Sequence, residues 1–143
     1  MRTTAGTINQ VVVVCLHEMV HYQQKLDPKT NLEAALVEGG AEFIAHYLTG
    51  KSTMQAVFDR VDSSLEKTIW HEFSPQVDKP VDAKWFLATA DVGRNRPGML
   101  GYVMGYRICE AYYNQAPDKA AALKAIIGLG NPRAIYEESS YGK

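Results

Sequence analysis

The residues best suited to chemistry are two histidines and a glutamate in the run His17-Glu18-Met19-Val20-His21. Histidines four residues apart lie on one face of an α-helix about one turn apart, so both imidazoles can bind the same metal ion. Imidazole is a preferred zinc ligand, and Glu18 would act as general base toward water at that ion. The alternative is a pair of structural histidines beside a solvated carboxylate. We favour a hydrolytic zinc site with His17 and His21 as ligands.

A catalytic zinc site takes three protein ligands and leaves a fourth position open, so one more ligand is required. The segment EGGAE, which begins 17 positions after the second histidine, offers one at Glu38. Gly39 and Gly40 cost helix stability, which indicates that two helix backbones approach closely around the ion. Glu42 lies one turn beyond Glu38, where it would bond the free ring nitrogen of a histidine ligand and fix its tautomer.

Hydrolysis of an amide also needs a hydrogen-bond donor near the oxygen that becomes negatively charged. Tyr102, Tyr106 and Arg107 are the best candidates, because they lie on a predicted helix whose glycines recur near helical spacing and would let it pack against the site. These glycines are Gly98, Gly101 and Gly105. The alternatives are that the tyrosines are ordinary core residues and that Arg107 pairs with Glu42 or Glu110.

Three further residues are weaker candidates, one as a metal ligand and two as hydrogen-bonding partners. In zincins whose third ligand follows the second histidine closely, a glycine and a histidine stand where this chain has Gln24 and Asp27. That pattern is absent, although Asp27 stays open as a weaker rival ligand. His46, one turn after Glu42, is an alternative hydrogen-bonding partner, and His71 is a further donor candidate. A lone histidine is more often structural.

A helix-capping pattern places both histidines on the first helix. Thr7, with Gln10 three residues later, predicts the start of a helix that runs to about Lys25. The β-branched run over residues 11–14 is alternatively a buried strand. A break between that run and His17 would leave almost no room for a turn, so we predict a continuous helix.

Two more capping patterns follow. Thr30 with Glu33 predicts a second helix that ends at Gly50 and carries both glutamates of the EGGAE segment. Ser52 with Gln55 predicts a third helix with an apolar stripe at helical spacing. The stripe consists of Val57, Phe58, Val61, Leu65 and Ile69.

Prolines and charges weaken the helical pattern over residues 74–97, which we predict as mostly loop with a short helix around residues 85–90. Three further helices are predicted, from near Pro97 to about Asn114, from Pro117 as first helical residue to about Gly128, and from Asn131-Pro132 onward. No pair of alternating strands with a hairpin turn is visible, and no internal repeat. The predicted fold is mostly α, a single compact domain of about five to six helices.

Composition excludes several classes of function. The 143 residues, 46% of them hydrophobic, suffice for one core, and a net charge of −1 gives no reason to expect nucleic acid as a partner. The longest apolar stretch, residues 11–16, is too short to span a bilayer, and the start lacks a signal-peptide core. We therefore predict a soluble protein. Cys15 and Cys109 are predicted to be buried free thiols, with a disulfide as the alternative.

The two motifs together resemble the gluzincin metallopeptidases, in which a glutamate on the next helix follows His-Glu-x-x-His. Residues 17–24 (HEMVHYQQ), 38–43 (EGGAEF) and 96–113 (RPGMLGYVMGYRICEAYY) are more closely similar to a family of predicted Zn-dependent proteases of unknown function related to the gliding-motility protein GldB. The resemblance covers nearly the whole chain. It implies three zinc ligands and a catalytic base at the positions already named, His17, His21, Glu38 and Glu18.

Gluzincins usually have a β-sheet ahead of the active-site helix, and its edge strand holds an extended peptide by backbone pairing. Only 16 residues precede His17. We expect this sheet to be absent or reduced, and we interpret residues 1–143 as one zincin-like metallopeptidase domain, shortened or truncated at its N-terminus.

The predicted function is that of a zinc-dependent hydrolase, a metallopeptidase with Zn²⁺ as cofactor and a peptide or protein as substrate. One alternative is a non-catalytic zinc-binding domain of the same fold. Another is a helical interaction module in which the motif is accidental.

Overall fold

Seven α-helices form the fold in the part of the chain that the structure describes. A computed structural model describes the backbone of residues 5–143 and the side chains of residues 9–143. The helices are α1 (Ala5–Gln23), α2 (Asn31–Thr49), α3 (Gln55–Phe58), α4 (Ser63–Phe73), α5 (Leu100–Gln115), α6 (Lys119–Gly128) and α7 (Pro132–Ser139), with 3-10 turns at Ser74–Gln76 and Ala83–Trp85. Over this range there is no β-strand, and two isolated bridges join Thr30 to Pro80 and Asp91 to Arg96. The predicted mostly α fold is confirmed.

Helix α2 is the centre of the fold, with 13 of its 19 residues buried. It packs against α1, α5 and α6. The predicted capping box is confirmed, because the Thr30 hydroxyl accepts from the Glu33 N–H and the Glu33 carboxylate accepts from the Thr30 N–H. The helix ends at Gly50, whose φ of 67° lies in the left-handed region that glycine favours. A capped and buried helix therefore carries Glu38 and Glu42.

Glycines allow α2 and α5 to pack backbone against backbone. A Cβ atom on Gly105 would overlap the Ala35 carbonyl oxygen of α2, and one on Gly39 would overlap the Tyr106 backbone nitrogen of α5. The expectation that Gly39 and Gly40 bring α2 close to the histidine helix is therefore wrong. Gly39 faces α5, and Gly40 faces side chains of α5 and α6.

The predicted third helix is wrong as one continuous element. After the single turn α3, the chain breaks and α4 begins behind Asp62, whose carboxylate accepts from the Ser64 and Leu65 N–H groups. The Asp62 carboxylate thus binds N–H groups that would otherwise bond to carbonyl groups of a continuing helix, so a new helix begins there. Ser52 does not cap α3: its hydroxyl donates to Glu42 and accepts from the N–H of Met54, which precedes the helix.

Two other helices begin elsewhere than predicted. Helix α1 is already helical at Ala5, so Thr7 lies inside it and does not start it. The helix is continuous through residues 11–14, which excludes the alternative strand. Helix α5 was predicted to start near Pro97 and begins three residues later, at Leu100.

Side-chain caps determine where the last two helices begin. Asp118 accepts a hydrogen bond from the Ala121 N–H, so α6 begins after Asp118 and Pro117 stays outside it, contrary to the prediction. Asn131 caps α7 in the same way, as predicted. The short helix predicted over residues 85–90 is wrong, since helical structure there is limited to the preceding 3-10 turn.

Both cysteines are free, and only one is buried. Cys109 lies in the core as predicted, whereas Cys15 is exposed, contrary to the prediction. The reason is that the described residues leave the outer face of α1 largely uncovered, so that Val11 is 56% and Met19 is 61% exposed. Among the described helices, none combines the length and the apolar character needed to cross a membrane.

Candidate metal centre

Helices α1 and α2 bring three potential metal ligands together. The Nε2 atoms of His17 and His21 lie 3.0 Å apart, and the Glu38 Oε2 atom lies 3.4 Å from each of them. The side chains are 12%, 26% and 29% exposed, so the cluster is sheltered yet reachable from solvent. Within residues 9–143, this is the one group of three or more such side chains whose ligand atoms converge.

The donor set and its spacing fit zinc. Two imidazoles and one carboxylate are the protein ligands of a common class of catalytic zinc site. Zinc–ligand bonds of about 2.0–2.1 Å at tetrahedral angles separate the ligand atoms by about 3.3 Å. The three observed separations are 3.0, 3.4 and 3.4 Å. An ion of this size would therefore fit among the three atoms with little movement of the side chains.

Hydrogen bonds behind each ring direct both Nε2 atoms toward Glu38. The Nδ1–H of His17 donates to Glu42 Oε2 over 3.1 Å, and the Nδ1–H of His21 donates to Gln24 Oε1 over 2.7 Å. We assign the ring protons to Nδ1 because both partners are acceptors. A neutral ring protonated at Nδ1 has its lone pair on Nε2, which is the tautomer that binds a metal from this side.

Glu42 is fully buried and holds His17 from behind. Besides His17, it accepts from the Ser52 hydroxyl at 2.5 Å, the Thr53 N–H at 2.8 Å and the Thr53 hydroxyl at 2.8 Å. Burial raises the pKa of this carboxyl, but hydrogen bonds from these three residues outweigh burial and lower it to about 2. Glu42 is therefore ionised at neutral pH, and its placement is the one expected from its spacing after Glu38.

Gln24 is a positioning residue that sequence reasoning missed. Its Nε2–H donates to the Val37 carbonyl oxygen over 2.8 Å, which turns its Oε1 atom toward His21. One amide thus links a histidine of α1 to the residue that precedes Glu38 in α2. The signal was available, since Gln24 follows His21 by three residues, a spacing at which side chains meet on a helix or at its end.

The carboxylates around His17 favour positive charge at the cluster. Burial lowers the pKa of His17, but its hydrogen bonds to Glu38 and Glu42 and their charges raise it from 6.5 to about 9. Burial raises the pKa of Glu38, and both histidines lower it by a larger amount. The same field that holds a proton on His17 would hold a cation among the three ligands.

Glu18 and Tyr102 lie near the cluster without being part of it. Glu18 is exposed on α1, between the two histidines in sequence. Tyr102, half-buried on α5, has a pKa raised above its ordinary value of 10 by burial and by the nearby charges of Glu38 and Glu18. Tyr102 is therefore protonated at neutral pH and can donate a hydrogen bond beside Glu38.

The structure gives Tyr106, Arg107 and His46 other partners. The Tyr106 hydroxyl lies 2.7 Å from Nδ1 of His46, so His46 does not bond either ligand histidine through that atom. Arg107 donates to Glu66 and to Glu110, each at 3.0 Å, which confirms the alternative pairing with Glu110 and not the one with Glu42. These contacts place neither Tyr106 nor Arg107 at the three-ligand cluster.

Two other competitors lie outside the cluster as well. The Asp27 side chain is 82% exposed and pairs with Lys29, so it does not join the converging ligand atoms. His71 lies in the last turn of α4 and lines a separate cavity.

Comparison with models of protein families gives a match to most of the chain. The model of a family described as "Predicted Zn-dependent protease (DUF2268)" matches residues 3–126. A search of curated proteins and a search of solved structures return no match. The matched range contains all three converging ligands, together with Gln24 and Glu42.

Proposed function

The chain belongs to this family of predicted Zn-dependent proteases, and from that premise we propose that it is a zinc metallopeptidase that hydrolyses peptide bonds. The observation that carries the proposal is the convergence of two imidazole nitrogens and one carboxylate oxygen at the separations of tetrahedral zinc ligands. His17, His21 and Glu38 would hold the ion. Zinc, when bound, supplies a Lewis acid that lowers the pKa of water and polarises a carbonyl group.

The protein's own residues would handle the protons. Glu18 accepts a proton from the attacking water and passes it to the amine that leaves, so that one water is consumed for each amide bond broken. Tyr102 donates a hydrogen bond to the substrate oxygen as negative charge develops on it. Glu42 and Gln24 keep His17 and His21 in the required tautomer and orientation.

Metal analysis combined with hydrolysis of a mixed peptide library tests this function. We expect one zinc per wild-type chain, and we expect Glu18→Gln to keep the zinc while losing about 10²–10⁴-fold in rate, because it removes only the proton acceptor. Glu38→Ala should weaken zinc binding, since it removes a ligand. Glu137→Gln, which neutralises an exposed carboxylate on α7, is the matched control and should change neither quantity.

Two results would contradict the proposal in different ways. Stoichiometric zinc in the wild type without hydrolysis of any library peptide would favour the non-catalytic zinc-binding domain. A wild-type protein that takes up no zinc would exclude both functions.

A further inference from the structure

A cavity separate from the metal cluster lies where the end of α4 and the segment 75–98 meet the start of α5. Its volume is about 670 Å³, and its lining includes none of His17, His21 and Glu38. Small-molecule sites typically occupy about 300–1,000 Å³. The cavity therefore has the size of a ligand site that the proposed peptidase chemistry does not use.

The lining carries an excess of positive charge. Its basic side chains are Lys79, Lys84, Arg94 and Arg96, and its carboxylates are Glu72 and Asp91. Four cations against two anions leave a charge of +2 among the lining side chains, in a chain whose net charge is −1. One of the four, Lys84, also pairs with Asp82 outside the lining, at 3.0 Å. Such an excess within a concave surface attracts and concentrates anions.

Glu72 is neutralised within the protein. Arg96 binds its carboxylate through both terminal nitrogens, at 2.7 and 2.9 Å, and the Arg96 side chain is only 13% exposed. This two-point contact holds the guanidinium in one orientation. It uses two of the five N–H donors of arginine, so three remain for other acceptors. Arg94 is held more loosely, since its Nε atom lies 3.7 Å from Asp91. Among the described residues, Lys79 has no carboxylate within salt-bridge distance.

Trp85 adds a donor that the protein does not satisfy. The residue lines the cavity and is only 5% exposed, and its indole N–H has no acceptor among the described residues. A buried donor without a partner is costly and uncommon in folded proteins. Lys84 stands over the indole ring, with its ammonium 5.6 Å from the ring centroid. As a lining residue, Trp85 is placed to sense an ion bound in the cavity.

The N-terminus of α5 reaches the same cavity through Leu100. No side chain caps this 16-residue helix, because the preceding residue is Met99. Uncapped N–H groups and the helix dipole favour an anion at this end. The dipole acts in the same direction as the basic side chains of the lining.

We propose that this cavity binds a small anionic ligand through a carboxylate or phosphate group, which lies against Arg96, Lys79 and Arg94 in the part of the cavity that Trp85 lines. Carboxylates and phosphates both accept hydrogen bonds from cationic side chains, and separate titrations with each distinguish them.

The indole N–H signals of the zinc-free and zinc-loaded protein give a direct test. The chain has two tryptophans, so a ¹H–¹⁵N correlation spectrum contains two indole signals, assigned with Trp70→Phe and Trp85→Phe. The probes are inorganic phosphate and succinate. We expect the Trp85 signal to shift on titration with at least one probe. The Trp70 signal is an internal control and should stay in place, because Trp70 packs against Tyr136 and Tyr141.

A charge-matched pair of variants tests the location. Lys79→Gln with Arg94→Gln removes two cations of the lining and should weaken probe binding about tenfold, the loss of one or two charge-assisted hydrogen bonds. Lys124→Gln with Arg60→Gln removes one lysine and one arginine outside the lining and should leave the affinity unchanged.

Three results would overturn the inference. They are the absence of binding by both probes at millimolar concentration, equal weakening in the two double variants, and binding that leaves the Trp85 signal unmoved.

Discussion

Individual polar residues orient the side chains of the candidate metal centre through hydrogen bonds to the ligand histidines. Glu42 and Gln24 accept the Nδ1 protons of the two histidines, and Ser52 and Thr53 in turn orient Glu42. Such outer partners influence affinity because they fix the tautomer and direction of the ligand rings. The motif and its spacing predicted Glu42. They did not predict Ser52 or Thr53, whose contact with Glu42 depends on the turn after α2.

Gln24→Ala tests the role of these outer partners. It removes the acceptor for His21 and the hydrogen bond to the Val37 carbonyl, so we expect zinc affinity to fall about 10–100-fold, as measured by competition with a chromophoric chelator. Gln23→Ala, at the exposed neighbouring position, is the control and should bind zinc like the wild type. Equal affinities for the two variants would show that Gln24 does not position His21.

At the scale of secondary-structure elements, the contact of α2 with α5 places Glu38 beside Tyr102. That contact depends on Gly105, where any side chain would meet the Ala35 carbonyl. Capping residues predicted α2 and α7 correctly, because a cap is a local interaction between neighbours in sequence. The break between α3 and α4 was not predicted. The apolar stripe favours one continuous helix, but the Asp62 side chain caps α4 and so begins a new helix.

Gly105→Ala should destabilise the fold by forcing α2 and α5 apart. We expect a loss of about 1–3 kcal/mol in the free energy of unfolding, measured by urea denaturation, as for other overpacked interiors. The control is Gly128→Ala in the last turn of α6, where a Cβ atom would meet nothing within 4 Å. That variant should be neutral or slightly stabilising, since alanine has the higher helix propensity. A stable Gly105→Ala protein would contradict the packing role of this glycine.

At the scale of the whole molecule, side-chain and backbone hydrogen bonds attach the long segment between α4 and α5 to the helical frame. Arg96 of this segment binds Glu72 at the end of α4, and Asn31 of α2 bonds the Gln76 carbonyl and the Asp82 N–H. The loop predicted from its prolines is therefore an ordered wall of a cavity. Its order could not be derived from the sequence, because each of these contacts joins residues 24 or more positions apart.

The Arg96–Glu72 pair predicts how global stability depends on pH. Arg96 lowers the pKa of Glu72 below its ordinary 4.5, so the pair stabilises the fold above that pH and loses its effect as Glu72 protonates at lower pH. The thermal unfolding temperature of wild type should therefore fall more steeply on acidification than that of Glu72→Gln. At neutral pH, the free energies of unfolding of wild type and Glu72→Gln should differ by at most about 1 kcal/mol, because the ion pair is partly exposed.

Differential scanning fluorimetry from pH 7 to pH 3 measures this dependence. The curves of wild type and Glu72→Gln should converge at low pH. Glu137→Gln removes an exposed carboxylate and is expected to follow the wild-type curve throughout. Parallel curves for wild type and Glu72→Gln would exclude a contribution from the pair.

The sequence by itself determined the local and periodic features of this protein. The His-Glu-x-x-His spacing sets two imidazoles on one helix face, the EGGAE segment adds a glutamate on the next helix, and the chain's helical periodicity specifies a mostly α fold. Tertiary structure decided what depends on distant residues: which helix the glycines contact, that Gln24 links His21 to α2, and that four basic side chains surround one cavity. The physical reason is that capping and helical spacing act within one or two turns, whereas packing and buried hydrogen bonds join residues that only the folded chain brings together.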